Sequence, residues 1–437
     1  MTSLHPRALV AAFLVGATAV QAQDTTQKGV RIGLTYERGV RPRVAVLPFA
    51  GQHGDSLRVM IGRDLDFSDR IEVEPAAAIG AYEAASGGGT RPPNYGLWKT
   101  LGAAAVIQGT ANGTGVTVSI HDVARARVAE TREFALSGPA TGEEWRMAVH
   151  GVSDEIERWI TGTRGAAQSR ILYVRNRQVY VIDSDGAGER ALTQGATALS
   201  PSWHPSGRYI AYSTFGARGT EIHVRDLRDG TSRRLATASG LNITPEWSPD
   251  GQSIAYAHGQ ENGADLVLAA AFGDGAGARR ITVGKGTDNT SPSFSPDGRR
   301  LAFTSGRSGH PEVYIADTDG ANAELLTPFQ FGRPSYRSSP SWSPDGRVVA
   351  FQTRGDGEFQ VATIALRDRS MKQLTSEGAN EDPSWAPDGR HLVFTSSRSG
   401  VKQLWILDLE TGRSRQLTRS SGGARLAAWS RILGSSP

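Results

Sequence analysis

One motif returns five times in the second half of the chain: PSWHPSGRYIAYST (201–214), PEWSPDGQSIAYAH (245–258), PSFSPDGRRLAFTS (292–305), PSWSPDGRVVAFQT (340–353) and PSWAPDGRHLVFTS (383–396). Its aromatic anchors are Trp203, Trp247, Phe294, Trp342 and Trp385, spaced 44, 47, 48 and 43 residues apart, and Trp429 follows after another 44 in LAAWSRIL. A period of about 40–50 residues with strand content is the signature of propeller blades. Each repeat parses into four strands. Strand a carries the aromatic, and a Pro-Asp-Gly turn reverses the chain into strand b, with glycine free to take positive φ. Strand b is apolar (IAYST, IAYAH, LAFTS, VAFQT, LVFTS), and strands c and d follow. Glycine, 52 of 437 residues against a usual ~7%, fits the many tight turns this requires.

The strand count closes the ring. Before the first anchor lie ILYVR (171–175), VYVID (179–183) and RALTQ (190–194), which are strands b, c and d without a strand a. After the last strand d there is one strand a, at Trp429, and nothing to follow it. Six strands of each type result, so the C-terminal strand completes the N-terminal blade and removes two open sheet edges. Six aromatics at equal spacing read as packing between blades, since a ligand site needs an asymmetry that this pattern lacks.

The rest of the chain has a different grammar. His5 and Arg7 precede a 13-residue apolar run, Ala8 to Val20, too short to span a bilayer at about 20 residues. With Val20-Gln21-Ala22 behind it, residues 1–22 read as a secretory signal. Residues 23–42 are polar, and read as either a docked edge strand or a mobile peptide available to a partner. Residues 43–165 show no repeat. VAVLPFA (44–50) and IEVEP (71–75) read as strands, 56–65 as a helix capped by Asp55 or Ser56, and 94–102 as a helix ending at Gly102. Residues 104–136 read as a strand meander. A long amphipathic helix at about 141–162 places Trp145, Val149, Val152, Ile156, Trp159 and Ile160 on one face. The predicted architecture is a small N-terminal α/β domain (43–165) followed by a six-bladed β-propeller (166–433) closed by the C-terminal strand.

The search for catalytic chemistry is mostly negative. With no cysteine, thiolate catalysis, cysteine zinc sites and disulfides are excluded. There is no GxSxG elbow, no GxxxxGK and no HExxH. Asp183-Ser-Asp185-Gly and Asp317-Thr-Asp319-Gly resemble the start of a calcium loop but lack its bidentate glutamate, and read as tight turns. The net charge of +4 is scattered, which argues against nucleic acid. No catalytic residue, cofactor or metal ligand is expected. What remains is the d–a loops (195–201, 239–245, 285–292, 333–340 and 378–383), which a propeller gathers around one mouth of its channel. Function concentrates on loops displayed by a rigid scaffold, so they are candidates for a protein-docking surface.

TGTRGAAQSRILYV (161–174), VRIGLTYERGVRPRVAVLPF (30–49), LWKTLGAAAVIQG (97–109), the SPDG blades and LAAWSRIL (426–433), in this order, resemble the TolB family of the Tol–Pal envelope system. The chain departs from the family at Ser68-Asp69-Arg70-Ile71, at Ser206 and at Arg431. The resemblance implies a non-catalytic, monomeric periplasmic protein that supports outer-membrane integrity and constriction during cell division. It implies binding of a Pal-like peptidoglycan-associated lipoprotein at the propeller mouth, through Leu241, Asn242, Thr244, Asp288, Asn289, Thr290, Ser291, Tyr336, Arg337, Asn380 and Glu381. A TolA-like protein would engage the N-terminal segment through Val30, Arg31, Ile32 and Leu34. The alternatives are a periplasmic propeller hydrolase or lyase, for which His204, His258 and His310 would have to converge, and a paralogue serving another envelope protein.

Overall fold

The computed structural model describes residues 40–434 apart from 76, 79–90, 196, 237, 274–276, 285–286, 329–334 and 356. Residues 1–22, expected to be a secretory signal, and the segment carrying Val30, Arg31, Ile32 and Leu34 lie outside the described residues. The first unit runs β1 (Arg43–Val46), β2 (Ala50–Gly51), α1 (Gly54–Phe67), β3 (Glu72–Val73), α2 (Tyr95–Thr100), β4 (Ala105–Ala111), β5 (Gly115–Asp122), β6 (Arg127–Ala135) and α3 (Glu143–Thr161). Its sheet has the order β3-β1-β4-β5-β6, with β2 also on β4. β1 is parallel to both neighbours, and β4 to β6 form the expected antiparallel meander. Alternation along the strands sends Val44, Val46, Ile107, Val118 and Ile120 to one face, where α1 and α3 cover them. Ala45, Leu47 and Val106 go to the other face, against Trp98 of α2.

Two helix ends show the local logic. The sequence places the α1 cap at Asp55 or Ser56, whereas the helix begins at Gly54, with His53 at the cap position at φ 62° and no side-chain cap. The chain turns tightly against β2's entry: a Cβ on Gly54 would sit 2.0 Å from the Phe49 carbonyl oxygen. Asp55 therefore falls inside the first turn, where a carboxylate still opposes the positive helix end. At the other end of the unit, α3 stops at Gly162, whose φ of 80° lets its N–H reach back to the Arg158 carbonyl at 2.9 Å. The apolar face of α3 is buried as its periodicity predicts, but so is a second stripe made of His150, Ser153, Asp154 and Glu157. That polar stripe faces the propeller.

The propeller has six four-stranded blades. In blade 1 the order is Arg425–Trp429, Arg170–Arg175, Gln178–Asp183, Arg190–Ala191, so the C-terminal strand supplies strand a. The seam is tied by Ser430 N–H to the Arg170 carbonyl (2.8 Å) and by Arg170 N–H to Ser430 Oγ (2.9 Å). Strands a of blades 2 to 6 are Ala198–Trp203, Leu241–Trp247, Asn289–Phe294, Tyr336–Trp342 and Asn380–Trp385. The anchor aromatics pack between blades: Trp247 shares a cluster with Ala211, Ile222 and Val224 of blade 2. Trp385 donates its indole N–H to the Ser341 carbonyl of blade 5 at 3.0 Å, and Trp203 to the Ala428 carbonyl of blade 1 at 3.1 Å.

Every strand a also carries a bulge. Ser200, Thr244, Ser291, Ser339, Asp382 and Leu426 all have φ between 45° and 56°, and the register with strand b shifts at each. Five of the six precede a proline, whose missing N–H suits a point where the ladder is broken. The repeat thus encodes six kinks around the channel, none of which is marked by glycine.

Candidate interaction face

The strands of a propeller end on two faces. The a–b and c–d turns lie on one, the b–c and d–a loops on the other. Among the described residues, all the ion pairs between the two units fall on the first face, and on two blades only. In blade 1, Asp183 and Asp185 receive Arg146 at 3.0 and 2.9 Å, Asp185 also receives Arg63, and Arg170 meets Glu143 at 2.6 Å. In blade 6, Asp69 receives Arg413 at 2.6 Å and faces His391 at 3.4 Å, while Arg390 donates to the Asp69 carbonyl at 3.1 Å. The DSDG motif is the tight turn expected, with Gly186 N–H on the Asp183 carbonyl at 2.8 Å, and its carboxylates seat the N-terminal unit as well. The opposite face, with the d–a loops, is left uncovered by that unit.

On the uncovered face the eleven residues expected at the mouth divide into two groups. Asn242, Asn289 and Asn380 are completely buried. Each fastens its blade to strand c of the blade before. Asn242 donates to the Thr220 carbonyl (2.7 Å) and the Ala238 carbonyl (2.8 Å), and its Oδ1 meets His258 Nδ1 at 2.9 Å. Asn289 donates to the Ala264 carbonyl and Asp265, and Asn380 to Gln360 and the Gly378 carbonyl. Arg337 does the same for blade 5, with Nη1 at 3.0 Å from Glu312 Oε2 and 2.9 Å from the Pro328 carbonyl. The physical reason is common to all four. The chain dives into the inner strand just after the loop, and the backbone it covers needs partners that solvent cannot supply.

The other group stays in reach of solvent. Leu241 is 41% exposed and Asp288 is exposed. Thr290 and Glu381 are partly exposed, Glu381 holding Lys402 at 2.5 Å. Thr244 and Ser291 are brought together by a bond from Ser291 N–H to Thr244 Oγ1 (3.1 Å). Tyr336 stands edge-on to Phe359 at 5.3 Å, with the Arg354 guanidinium over both rings. Sequence reasoning missed Phe215, which is 63% exposed at the end of strand b in blade 2. Its signal was an aromatic beside a Gly-Ala-Arg-Gly turn. Backbone bonds join its hairpin to the loop carrying Leu241: Thr220 N–H reaches the Gly240 carbonyl at 3.0 Å and Gly240 N–H the Arg218 carbonyl at 3.1 Å. Phe215 and Leu241 therefore give two adjacent blades an apolar spot on the uncovered face.

Two buried carboxylate–histidine groups, Asp64/His150/Asp185 and Asp69/His391/Asp408, have atoms close enough to surround a cation. Apart from Asp64 Oδ1, their oxygens and those of the adjacent Asp183 are largely committed. Asp183 and Asp185 are held by Arg146, Arg170 and Arg63, and both Asp408 oxygens by Arg390. A divalent ion would have to displace guanidinium groups, so the donor sets fit ion pairing and not metal binding. His204, His258 and His310 do not converge: His204 bonds Ser206 in an a–b turn, and the other two belong to the opposite ends of blades 3 and 4.

A family model described as TolB beta propeller domain matches residues 157–433. The Tol-Pal system protein TolB of Xanthomonas oryzae pv. oryzae is 28% identical over 220 residues, 46% of this chain and 48% of that protein. That of Mannheimia succiniciproducens is 28% identical over 237 residues, 50% of this chain and 53% of that protein. The chain thus spans about half the length of the curated relatives it matches. The crystal structure of TolB from Acinetobacter baumannii superposes with a TM-score of 0.76 at 25% identity, covering 91% of this chain and 98% of that one.

Proposed function

The chain belongs to the TolB beta propeller domain family, and we propose that it is the non-catalytic, protein-binding component of a Tol–Pal system. It works in the periplasm, with its uncovered propeller face as the docking surface for a Pal-like lipoprotein and residues 23–42 as the segment offered to a TolA-like protein. In that role it supports outer-membrane integrity and constriction during division. The single observation that carries this is the asymmetry of the two faces: one is closed by ion pairs to the N-terminal unit, and the other presents Leu241, Phe215 and the Tyr336–Phe359 pair with no covering element among the described residues. No described helix is long and apolar enough to cross a membrane.

Calorimetry between residues 23–437 and the soluble peptidoglycan-binding domain of Pal from the same organism tests it. Micromolar binding is expected. Leu241→Asp and Phe215→Asp together should weaken it by about 2 kcal/mol or more, the size of a buried apolar anchor lost at an interface. No heat at 100-fold higher concentration, with a folded protein, removes Pal as the client and points to another envelope partner.

A further inference from the structure

The contact between the two units is unusual in what it lacks. Each hydrophobic cluster of the described residues belongs wholly to the N-terminal unit or wholly to the propeller. The joint is made of charges. A small cavity of about 30 Å³ lies in it, lined among others by Asp64, Glu157, Asp185, His391 and Arg415. Two buried histidines stand in the joint, one from each unit, and His391 lines that cavity.

His150 projects from α3. Its Nδ1 is 2.8 Å from Asp64 Oδ2 of α1, and its Nε2 faces Asp183 and Asp185 of the propeller at 3.8 Å each. Arg146 from its own helix, Arg63 from α1 and Arg170 from the propeller converge on the same carboxylates. His391 opens strand b of blade 6. Its Nδ1 is 2.7 Å from Asp388 and its Nε2 3.4 Å from Asp69, at the end of α1. Arg390, Arg413 and Asp408 stand around it from the propeller, and Glu157, paired with Arg70 at 3.0 Å, from α3. Both rings have an Nε2 aimed across the joint at carboxylates of the other unit, and a carboxylate on Nδ1 that favours a proton on each nitrogen.

We propose that the N-terminal unit is held on the propeller by a proton-dependent ionic joint, which opens reversibly as the medium turns alkaline while both units stay folded. The carboxylates around the rings overcome the burial that opposes charge, and raise His150 to about 10 and His391 to about 9. Asp388 is held well below the usual carboxylate range by His391, so it stays charged throughout. Burial pushes the Glu157 carboxyl up to about 8, which acts in the same direction. A histidine with a higher pKa docked than undocked favours docking in full below its undocked value, and loses that contribution as pH rises through its docked value. Asp64 stays with His150 and Asp388 with His391 in the separated units, so only the share from Asp183, Asp185 and Asp69 is tied to docking, and the windows close at about 10 for His150 and about 9 for His391. Each histidine proton contributes at most about tenfold per pH unit inside its window, so the two together raise the opening constant by up to about a hundredfold per unit where the windows overlap.

The chain has no cysteine, so Val128→Cys on β6 and Val401→Cys on the uncovered propeller face take two spin labels and no others. Double electron–electron resonance on this protein should show one distance at pH 6.5. A second, changed distance should grow between pH 7 and 10, with far-UV circular dichroism constant and full return on going back to pH 6.5. His391→Gln or His150→Gln should open the joint at lower pH and reduce the steepness from about a hundredfold to about tenfold per unit. The wild-type series decides by itself if a variant fails to fold. A single unchanged distance up to pH 10 overturns the proposal, as does an opening whose steepness neither substitution alters.

Discussion

Asn242→Ala separates a staple from a contact residue. The side chain is completely buried and makes three bonds: to the Thr220 carbonyl at 2.7 Å, to the Ala238 carbonyl at 2.8 Å and with His258 Nδ1 at 2.9 Å. A net contribution near 1 kcal/mol per bond gives about 3 kcal/mol, and water cannot rescue partners in a closed site at once. Against total stabilities of 5–15 kcal/mol this is a large fraction. With an m-value of roughly 3 kcal/mol per molar urea for a unit of this size, the unfolding midpoint moves down by about 1 M. Tryptophan fluorescence follows it, since Trp247 lies in the same strand. Leu241→Ala next door is the control: its side chain is 41% exposed, and its midpoint should move by less than about 0.2 M. A midpoint unchanged in Asn242→Ala, together with loss of Pal binding, would refute the staple and restore Asn242 as a direct contact.

Two further outcomes test the architecture. Gly219 has φ 129°, and a Cβ there would lie 2.0 Å from the Gly240 carbonyl oxygen; Gly219→Ala should cost about 2 kcal/mol or more and pry blade 2 from the loop of blade 3, read as a lower urea midpoint and weaker partner binding together. Deleting residues 425–434 removes strand a of blade 1 with Trp429 and the Ser430 bonds; the open ring should lose its cooperative transition and associate through its exposed edges, seen as early elution in size-exclusion chromatography.

The ring was legible because its signal is redundant. Six aromatic anchors, five Pro-x-Gly turns and a strand count that balances only on closure all point one way, and the Trp429↔Ile171 register carries out that closure. The apolar face of α3 was legible for the same reason. Its polar stripe was not. His150, Asp154 and Glu157 occupy positions that read as solvated, and their burial depends on Asp64 and Asp183, on the Ala167 and Gln168 amides and on Arg70, which lie 13 to 87 residues away. A pairing of that range leaves no local period. The six bulges were hidden in another way, because Ser, Thr, Asp and Leu adopt the left-handed conformation that glycine usually marks.

The burial of the asparagines beside polar loops has a local cause. At the junction where each d–a loop enters strand a, the neighbouring blade removes solvent from backbone carbonyls, and a short amide with two donors and an acceptor satisfies them where an aliphatic side chain cannot. Blade 5 shows that the constraint is on the bonds and not on the residue type: it uses Arg337 with Glu312 and the Pro328 carbonyl to the same end. A partner must therefore read the residues that this task leaves free. These are the side chains immediately before two of the staples, Leu241 and Tyr336, and those immediately after, Thr290 and Glu381, with Phe215 beside them; Asp288 instead accepts from the Ala264 N–H of the blade before at 3.1 Å. The staple fixes where its neighbours point, so the two kinds of position alternate along one short stretch of chain. Specificity can then change at one residue while the blade junction is kept at the next.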